Sequence, residues 1–276
     1  MTYDAASGKI IVFGGFDGEY LNDTWAFDGV SWTQIATSVA PSPRTNAQMA
    51  YDSVTHKVVL YGGYNGTSYL GDTWLWDGAT SQWAPVRTAH RPPALTGPMV
   101  FADPNGHADL YGGFDGQFYQ LKMFQWTGSY WMPLSPATVP YARSSAAVAT
   151  NTSTRKVVLF GGLADVNPVN TWTYDGTTWT LETRYVQPPW VNGGSAAFDP
   201  KLQAVVLFGG GSGGVDQNST WQWLGVRGIW KQLRINQSPP PREGAGMTYF
   251  PALGHVIVFG GQNNDTPLND TWELIP

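Results

Sequence analysis

The sequence predicts an all-β fold built from six copies of one small four-stranded unit. Three observations carry the prediction. A Gly-Gly pair recurs at Gly14/Gly15, Gly62/Gly63, Gly112/Gly113, Gly161/Gly162, Gly209/Gly210 and Gly260/Gly261, at intervals of 48, 50, 49, 48 and 51 residues. Each pair closes a short apolar run with a terminal aromatic: IIVF, VVLY, ADLY, VVLF, VVLF and VIVF. After the pair, aromatic residues return at fixed distances. Self-similarity at such a period signals stacked supersecondary units.

The elements follow in order. A first strand is marked by Tyr3, Tyr51, Phe101, Thr150, Phe198 and Tyr249, each eleven residues before its Gly-Gly pair. Turn chemistry such as DAASGK and DSVTHK separates it from the apolar run. That run is short and β-branched, as suits a second strand covered on both faces. The glycines permit backbone angles and close approach that a Cβ would block. Trp25, Trp74, Phe124, Trp172, Trp221 and Trp272 mark a third strand. Trp32, Trp83, Trp131, Trp179 and Trp230, seven or nine residues on, mark a fourth. Four short, evenly spaced strands per unit are the signature of a propeller blade. The tryptophans are expected to fill the wide outer part of the wedge between blades, each burying on the order of 150–250 Å².

Composition agrees. The chain has 276 residues, 42% apolar and 14% aromatic but only 13% charged, with 14 Trp. That suits a β protein with short Gly-, Pro- and Asn-rich loops. A net charge of −5 without a basic cluster makes nucleic acid or an anionic membrane a poor partner. The absence of Cys excludes disulfides, thiolate metal sites and thiol nucleophiles. No apolar run reaches the roughly 18 residues of a membrane helix. MTYDAASGK has neither the basic start nor the apolar core of a signal peptide. The compartment is left open, with a secreted or cell-surface setting as the expectation.

The Gly-Gly pair, the spaced aromatics and the FGG…LNDTWxxDGxxW…PxxR phrase resemble kelch repeats, and in this version those of bacterial proteins. The resemblance runs over the whole chain. It implies a six-bladed β-propeller and a single domain over 1–276, of six repeats of about 49 residues with incomplete terminal units. Unit three departs from the pattern, reading LKMFQW where unit one has NDTWAF. The last unit stops after DTWELIP, so the closing blade is expected to lack its outer strand. A domain trimmed from a longer chain, or a strand borrowed from a neighbouring molecule, would follow, and with it self-association through that blade.

In such a blade the loops from second to third strand, and from the outer strand to the next blade, share one face. Here they are long and varied, and variable loops on a rigid frame are where function concentrates. PSPR, PYAR and PPPR place Arg44, Arg143 and Arg242 before a first strand, and a trio of guanidinium groups at one mouth suits a carboxylate ligand. The alternative is that each Arg bonds a neighbouring loop. Ala94, in HRPPALTGP, and Trp190 with Val191 break the Arg pattern. Glu243 is a carboxylate that the repeat does not predict, either paired to Arg or a ligand contact. Phe16, Tyr20, Tyr64, Tyr69, Phe114, Phe118 and Tyr119 crowd the same loops in units one to three, a composition suited to sugar or peptide binding.

Other chemistry is sparse. His56, His107 and His255 fall at turns of separate units and His90 in a loop, so no metal centre is expected, nor any cofactor. The Tyr–Cys copper centre of galactose-oxidase-like kelch enzymes has no Cys to form it. GGGSGG does not open a helix, so it is no phosphate loop. Nothing marks a Ser–His–acid triad. The expectation is a non-enzymatic module binding a protein, peptide or glycan through Arg44, Arg143, Arg242, Glu243, Trp190, Phe16, Tyr64 and Phe114. The alternatives are a sugar-acting isomerase resembling the kelch-type sialic acid mutarotases, with Glu243 moving the proton, or a structural repeat or engineered scaffold.

Overall fold

The computed structural model describes residues 1–165, 168–183, 186–235 and 237–275. These are strands and turns only, and no helix among them is long and apolar enough to cross a membrane. The fold class is the six-bladed β-propeller that the repeat predicts. The chain divides into two compact units, Met1–Ser135 and Pro136–Pro276, with three blades in each.

In the first unit, blade one is β1 (Thr2–Asp4), β2 (Lys9–Phe16), β3 (Tyr20–Phe27) and β4 (Trp32–Gln34). Blade two is β5 (Gln48–Asp52), β6 (Lys57–Tyr61), β7 (Thr73–Asp77) and β8 (Gln82–Val86), and blade three is β9 (Met99–Ala102), β10 (Ala108–Tyr111), β11 (Met123–Trp126) and β12 (Trp131–Leu134). In the second unit, blade four is β13 (Ala147–Asn151), β14 (Lys156–Phe160), β15 (Thr171–Tyr174) and β16 (Trp179–Glu182). Blade five is β17 (Ser195–Asp199) and β18 (Ala204–Phe208), then a small hairpin of β19 (Gly211–Ser212) and β20 (Val215–Asp216), then β21 (Thr220–Leu224) and β22 (Ile229–Leu233). Blade six is β23 (Gly246–Phe250), β24 (His255–Phe259), the hairpin β25 (Gln262–Asn263) and β26 (Thr266–Pro267), and β27 (Thr271–Leu274).

Every blade is an antiparallel meander in chain order, and blade six has three strands among the described residues.

Each apolar run is the second strand of its blade and is buried on both faces, as with Val58, Val59, Leu60 and Tyr61. First-strand carboxylates hold the turn that follows. Asp52 Oδ1 accepts the backbone N–H of Val54 and Thr55, and Asp199 Oδ1 those of Lys201 and Leu202. The core lies between successive blades: Ile11 and Phe13 of blade one pack with Val58, Leu60, Trp76 and Trp83 of blade two.

The two tryptophan sets do different things. Outer-strand Trp83, Trp131, Trp179 and Trp230 are buried, whereas third-strand Trp25, Trp74, Trp221 and Trp272 are half-buried. The buried indoles reach back to the preceding blade. Trp83 Nε1 donates to Thr24 Oγ1 at 2.9 Å, Trp131 Nε1 to Thr73 Oγ1 at 2.9 Å, and Trp230 Nε1 to Thr171 Oγ1 at 2.7 Å. The half-buried ones bond their own loop, Trp74 Nε1 to Asp72 Oδ2 and Trp272 Nε1 to Asp270 Oδ2. The expectation that all of them are buried in the wedge holds for Trp83, Trp131, Trp179 and Trp230 and also for Phe124 and Trp172 of the third strands, whereas outer-strand Trp32 is half-buried.

One strand position breaks the pattern. Asp109 is fully buried where the other blades place Ile11, Val59, Val158, Val206 and Ile257. Gln125 Nε2 donates to Asp109 Oδ1 at 3.1 Å, and Oδ2 has no partner among the described residues. Burial, with Asp103 and Asp52 nearby, pushes the carboxyl up to about 8.

Two outcomes are expected. Trp131→Ala lowers the unfolding free energy by about 3–5 kcal/mol in urea titration, since a large buried side chain and its hydrogen bond both go. For Asp109, the folded pKa is raised above the unfolded one, so its favourable contribution is complete below about pH 4. It is lost as pH rises toward about 8. Asp109→Val should flatten that part of the pH–stability profile and raise the melting temperature at pH 8.

Candidate functional site

The loops between second and third strands in the first unit are tight and internally bonded. Asn65 Oδ1 accepts the N–H groups of Thr67 and Ser68, and Asp115 Oδ1 those of Gln117 and Phe118. Side-chain-held turns of this kind fix a loop without a core of its own. On them the aromatic rings form one continuous row. Centroids lie 5.1 Å apart for Phe16–Tyr20, 6.0 Å for Tyr20–Tyr64, 5.2 Å for Tyr64–Tyr69, 5.9 Å for Tyr69–Phe114 and 5.1 Å for Phe114–Tyr119.

The row passes from blade to blade because two turn residues are glycine. A Cβ on Gly66 would stand 2.6 Å from the Tyr20 ring, and one on Gly116 would stand 2.5 Å from the Tyr69 ring. The first ring, Phe16, is 45% exposed, and the other five are half-buried. Phe16, Tyr64 and Phe114 are thus brought together as one surface, joined by Tyr20, Tyr69 and Tyr119. Phe118 is exposed outside the row.

Arg44, Arg143 and Arg242 have a different place from the expected ligand trio. All three are buried to 1% exposure or less. Arg44 donates from Nε to Ser42 O, from Nη1 to Gly62 O at 3.0 Å, and from Nη1 and Nη2 to the two oxygens of Asp72 at 2.6 and 2.8 Å. Arg242 repeats this with Pro240 O, Gly260 O and Asp270. Arg143 does so with Tyr141 O, Gly161 O and Asn170 Oδ1. Each guanidinium ties the loop entering a blade to that blade's own glycine pair and third-strand loop. A buried, fork-bonded group of this kind has no face for a ligand carboxylate, which corrects the expectation.

The chain itself shows that the pair is one device. Leu95 and Val191 hold the backbone position of Arg44, since Gly63 N bonds Leu95 O and Gly162 N bonds Val191 O as Gly15 N bonds Arg44 O. So Leu95, rather than Ala94, takes the arginine's place. The facing residues change in step: Asp72, Asn170 and Asp270 opposite Arg, but Lys122 opposite Leu95 and Ser219 opposite Val191. For Asp72, burial raises the pKa, and the hydrogen bonds and charge of Arg44 outweigh it, leaving the carboxyl below its ordinary range. For Asp270 the Arg242 hydrogen bond leads, with the same result.

In the second unit, Glu243 lies beside the β25–β26 hairpin. Its Oε1 accepts Gln262 Nε2 at 2.9 Å, and the two residues exchange backbone bonds. The carboxylate thus bonds this amide, in place of the Arg pairing considered from sequence. Burial raises its pKa, Gln262 lowers it in part, and Asp216 and Asp265 raise it further. Trp190 is half-buried and its Nε1 donates to Gly162 O at 2.9 Å. Neither residue belongs to the aromatic row. Among the described residues, no group of three His, Asp or Glu is placed to hold a metal ion.

A family model described as the KLHDC2/KLHL20/DRC7 Kelch-repeats domain matches residues 1–162, more than half of the chain. No curated protein matches it.

Arg44→Ala is expected to lower stability by about 2–4 kcal/mol, because the Gly62 carbonyl and the Asp72 carboxylate both lose their donor. Denaturant unfolding of the variant checks this. The depressed Asp72 and Asp270 carboxyls contribute stability above the ordinary carboxylate range, lost as pH falls through their folded values. Acid titration of wild type should therefore show destabilisation below about pH 4 that Arg44→Ala reduces.

Proposed function

Since this chain belongs to the family of the KLHDC2/KLHL20/DRC7 Kelch-repeats domain, whose propellers are typically protein-interaction modules, we propose that it is a non-enzymatic binding module that holds a protein or peptide on the loop face of blades one to three. The observation that carries this reading is the row of six rings from Phe16 to Tyr119. Rigid aromatic side chains offer large contact area at low entropic cost, and a contiguous set of them is the composition of an interface centre. The loops beneath are held by Asn65 and Asp115, so little ordering is needed on binding.

The isomerase alternative is weakened by the same geometry. Its carboxylate anchors were to be Arg44, Arg143 and Arg242, which are buried in blade-internal bonds. A glycan remains a ligand class that aromatic stacking would also serve, so the experiment must separate the two.

The test is selection of a displayed random-peptide library on the wild-type protein, with a glycan array run in parallel. Peptides are expected to enrich, and their affinity to fall at least tenfold on Tyr64→Ala/Phe114→Ala. Binding confined to glycans, or peptide affinity indifferent to the double substitution, would reject the reading. The melting temperature of the double variant should stay close to wild type, since these rings lie over the loops and outside the apolar clusters between blades.

A further inference from the structure

The rings of the aromatic row alternate in setting. Neighbours on different blades meet edge-on, at 79° for Tyr20–Tyr64 and 85° for Tyr69–Phe114. Neighbours on one loop are tilted instead, by 57° for Phe16–Tyr20, 40° for Tyr64–Tyr69 and 47° for Phe114–Tyr119. The row is therefore corrugated, with a period of one blade, or two rings. Successive centroids lie 5.1 to 6.0 Å apart, so equivalent rings such as Tyr20 and Tyr69 stand at most two such spacings apart.

Polar groups follow the same period. The Tyr64 hydroxyl donates to Gly66 O at 2.8 Å, inside its own loop. Tyr20, Tyr69 and Tyr119 are the second ring of each loop, and their hydroxyls form no hydrogen bond among the described residues. The backbone beneath the rings of blades two and three is already paired. Tyr64 exchanges both backbone bonds with Thr45, and Phe114 with Thr96, while Leu70 N bonds Gly63 O and Gln120 N bonds Gly113 O. The surface thus presents hydroxyl groups at regular intervals among apolar rings, over loops whose main chain is occupied.

Those features fit one kind of chain. A polyproline II helix has no internal hydrogen bonds, leaves its carbonyls exposed, and repeats every three residues over about 9 Å. That length lies within the two-ring bound. Proline has no N–H, so such a segment asks its receptor for donors alone. An added β-strand would need backbone N–H and C=O partners together, which the paired loops do not offer.

Charge sets a direction. Asp17 and Glu19 are exposed in the loop of blade one, and neither is in an ion pair among the described residues. Asp115, the counterpart of Asp17 in blade three, has both oxygens taken, by the N–H groups of Gln117 and Phe118 and by Gln120 Nε2. Lys122 is exposed three residues after Tyr119. The Phe16 end of the row therefore favours a cation, and the Tyr119 end does not.

Resting on the binding-module reading above, we propose that the row receives a proline-rich segment of a partner protein in the polyproline II conformation. Its prolines lie between the rings, and its carbonyls accept from Tyr20, Tyr69 and Tyr119. A Lys or Arg flanking the prolines sits over Asp17 and Glu19.

Fluorescence anisotropy with the whole chain and the labelled peptide KPPAPPAPP tests this. Saturable binding is expected, at least tenfold tighter than that of KAAAAAAAA. Tyr69→Phe should weaken it several-fold, whereas Tyr64→Phe, which removes a hydroxyl already bonded in its loop, should change it less than twofold. Glu19→Lys should weaken binding of KPPAPPAPP several-fold and strengthen that of EPPAPPAPP. Melting temperatures should stay near wild type, because the first two variants keep their rings and Glu19 is exposed. Equal binding of the proline and alanine peptides, equal loss from Tyr69→Phe and Tyr64→Phe, or indifference to Glu19→Lys would each overturn the proposal. If the displayed library enriches proline-poor peptides whose binding depends on Tyr64 and Phe114, the proposal falls and the binding-module reading stands. If neither the library nor KPPAPPAPP binds, both fall.

Discussion

The carbonyl of Leu95 lies 2.5 Å from the point where a Cβ on Gly62 would stand, and that of Arg242 lies 2.6 Å from the same point on Gly209. This backbone-on-backbone approach is the constraint on which the blades depend. The first glycine of each pair has a positive φ, 72° at Gly62 and 67° at Gly209, and its partner's N–H then bonds the approaching carbonyl. A side chain at either place would push the incoming loop away, and with it the first strand of the next blade. The doublet therefore sets where one blade ends and how the next begins. Its repetition is the sequence trace of a contact that no side chain can make.

Above that contact the chain uses two interchangeable locks. Where Arg occupies the approaching position, it forks onto Asp72, Asn170 or Asp270 and onto the carbonyl of the first glycine. Where Leu95 or Val191 occupies it, apolar packing replaces the fork and the facing residue is no longer a carboxylate. A buried guanidinium without its acceptors is costly, and a carboxylate without its cation is poorly placed against apolar groups. The two positions must change together, and within this one chain they do. Loops locked this way can vary at their tips without disturbing the blade. That freedom lets units one to three carry aromatics in the loops where blades five and six carry Asp216 and Asp265.

Strand number, strand order and the glycine pairs were legible because backbone geometry demands particular residues at particular spacings. The aromatic surface was legible as composition, since Phe16, Tyr64 and Phe114 stand at one place in three consecutive units. Its continuity was not. It rests on Gly66 and Gly116 making room for the rings of the preceding blade, a relation between residues 46 or 47 positions apart. The arginines misled for a physical reason. The fork that suits Arg to a ligand carboxylate suits it equally to an internal one, and sequence spacing does not distinguish them. Asp109 passed unremarked inside ADLY, although a carboxylate amid Val and Ile counterparts was the readable signal. Leu95 was missed in favour of Ala94 because the loop HRPPALTGP gives no register until its carbonyl is seen on Gly63.

The aromatic row is a surface ordered before any partner arrives: its rings touch one another, and the loops that carry them are held by Asn65 and Asp115. On the proposed reading a partner gains by covering area that is already in place, so its affinity is not spent on fixing loops. Selectivity then falls to the shape and chemistry of the partner's side chains, because rings fixed by Gly66 and Gly116 cannot rearrange to suit a poor fit.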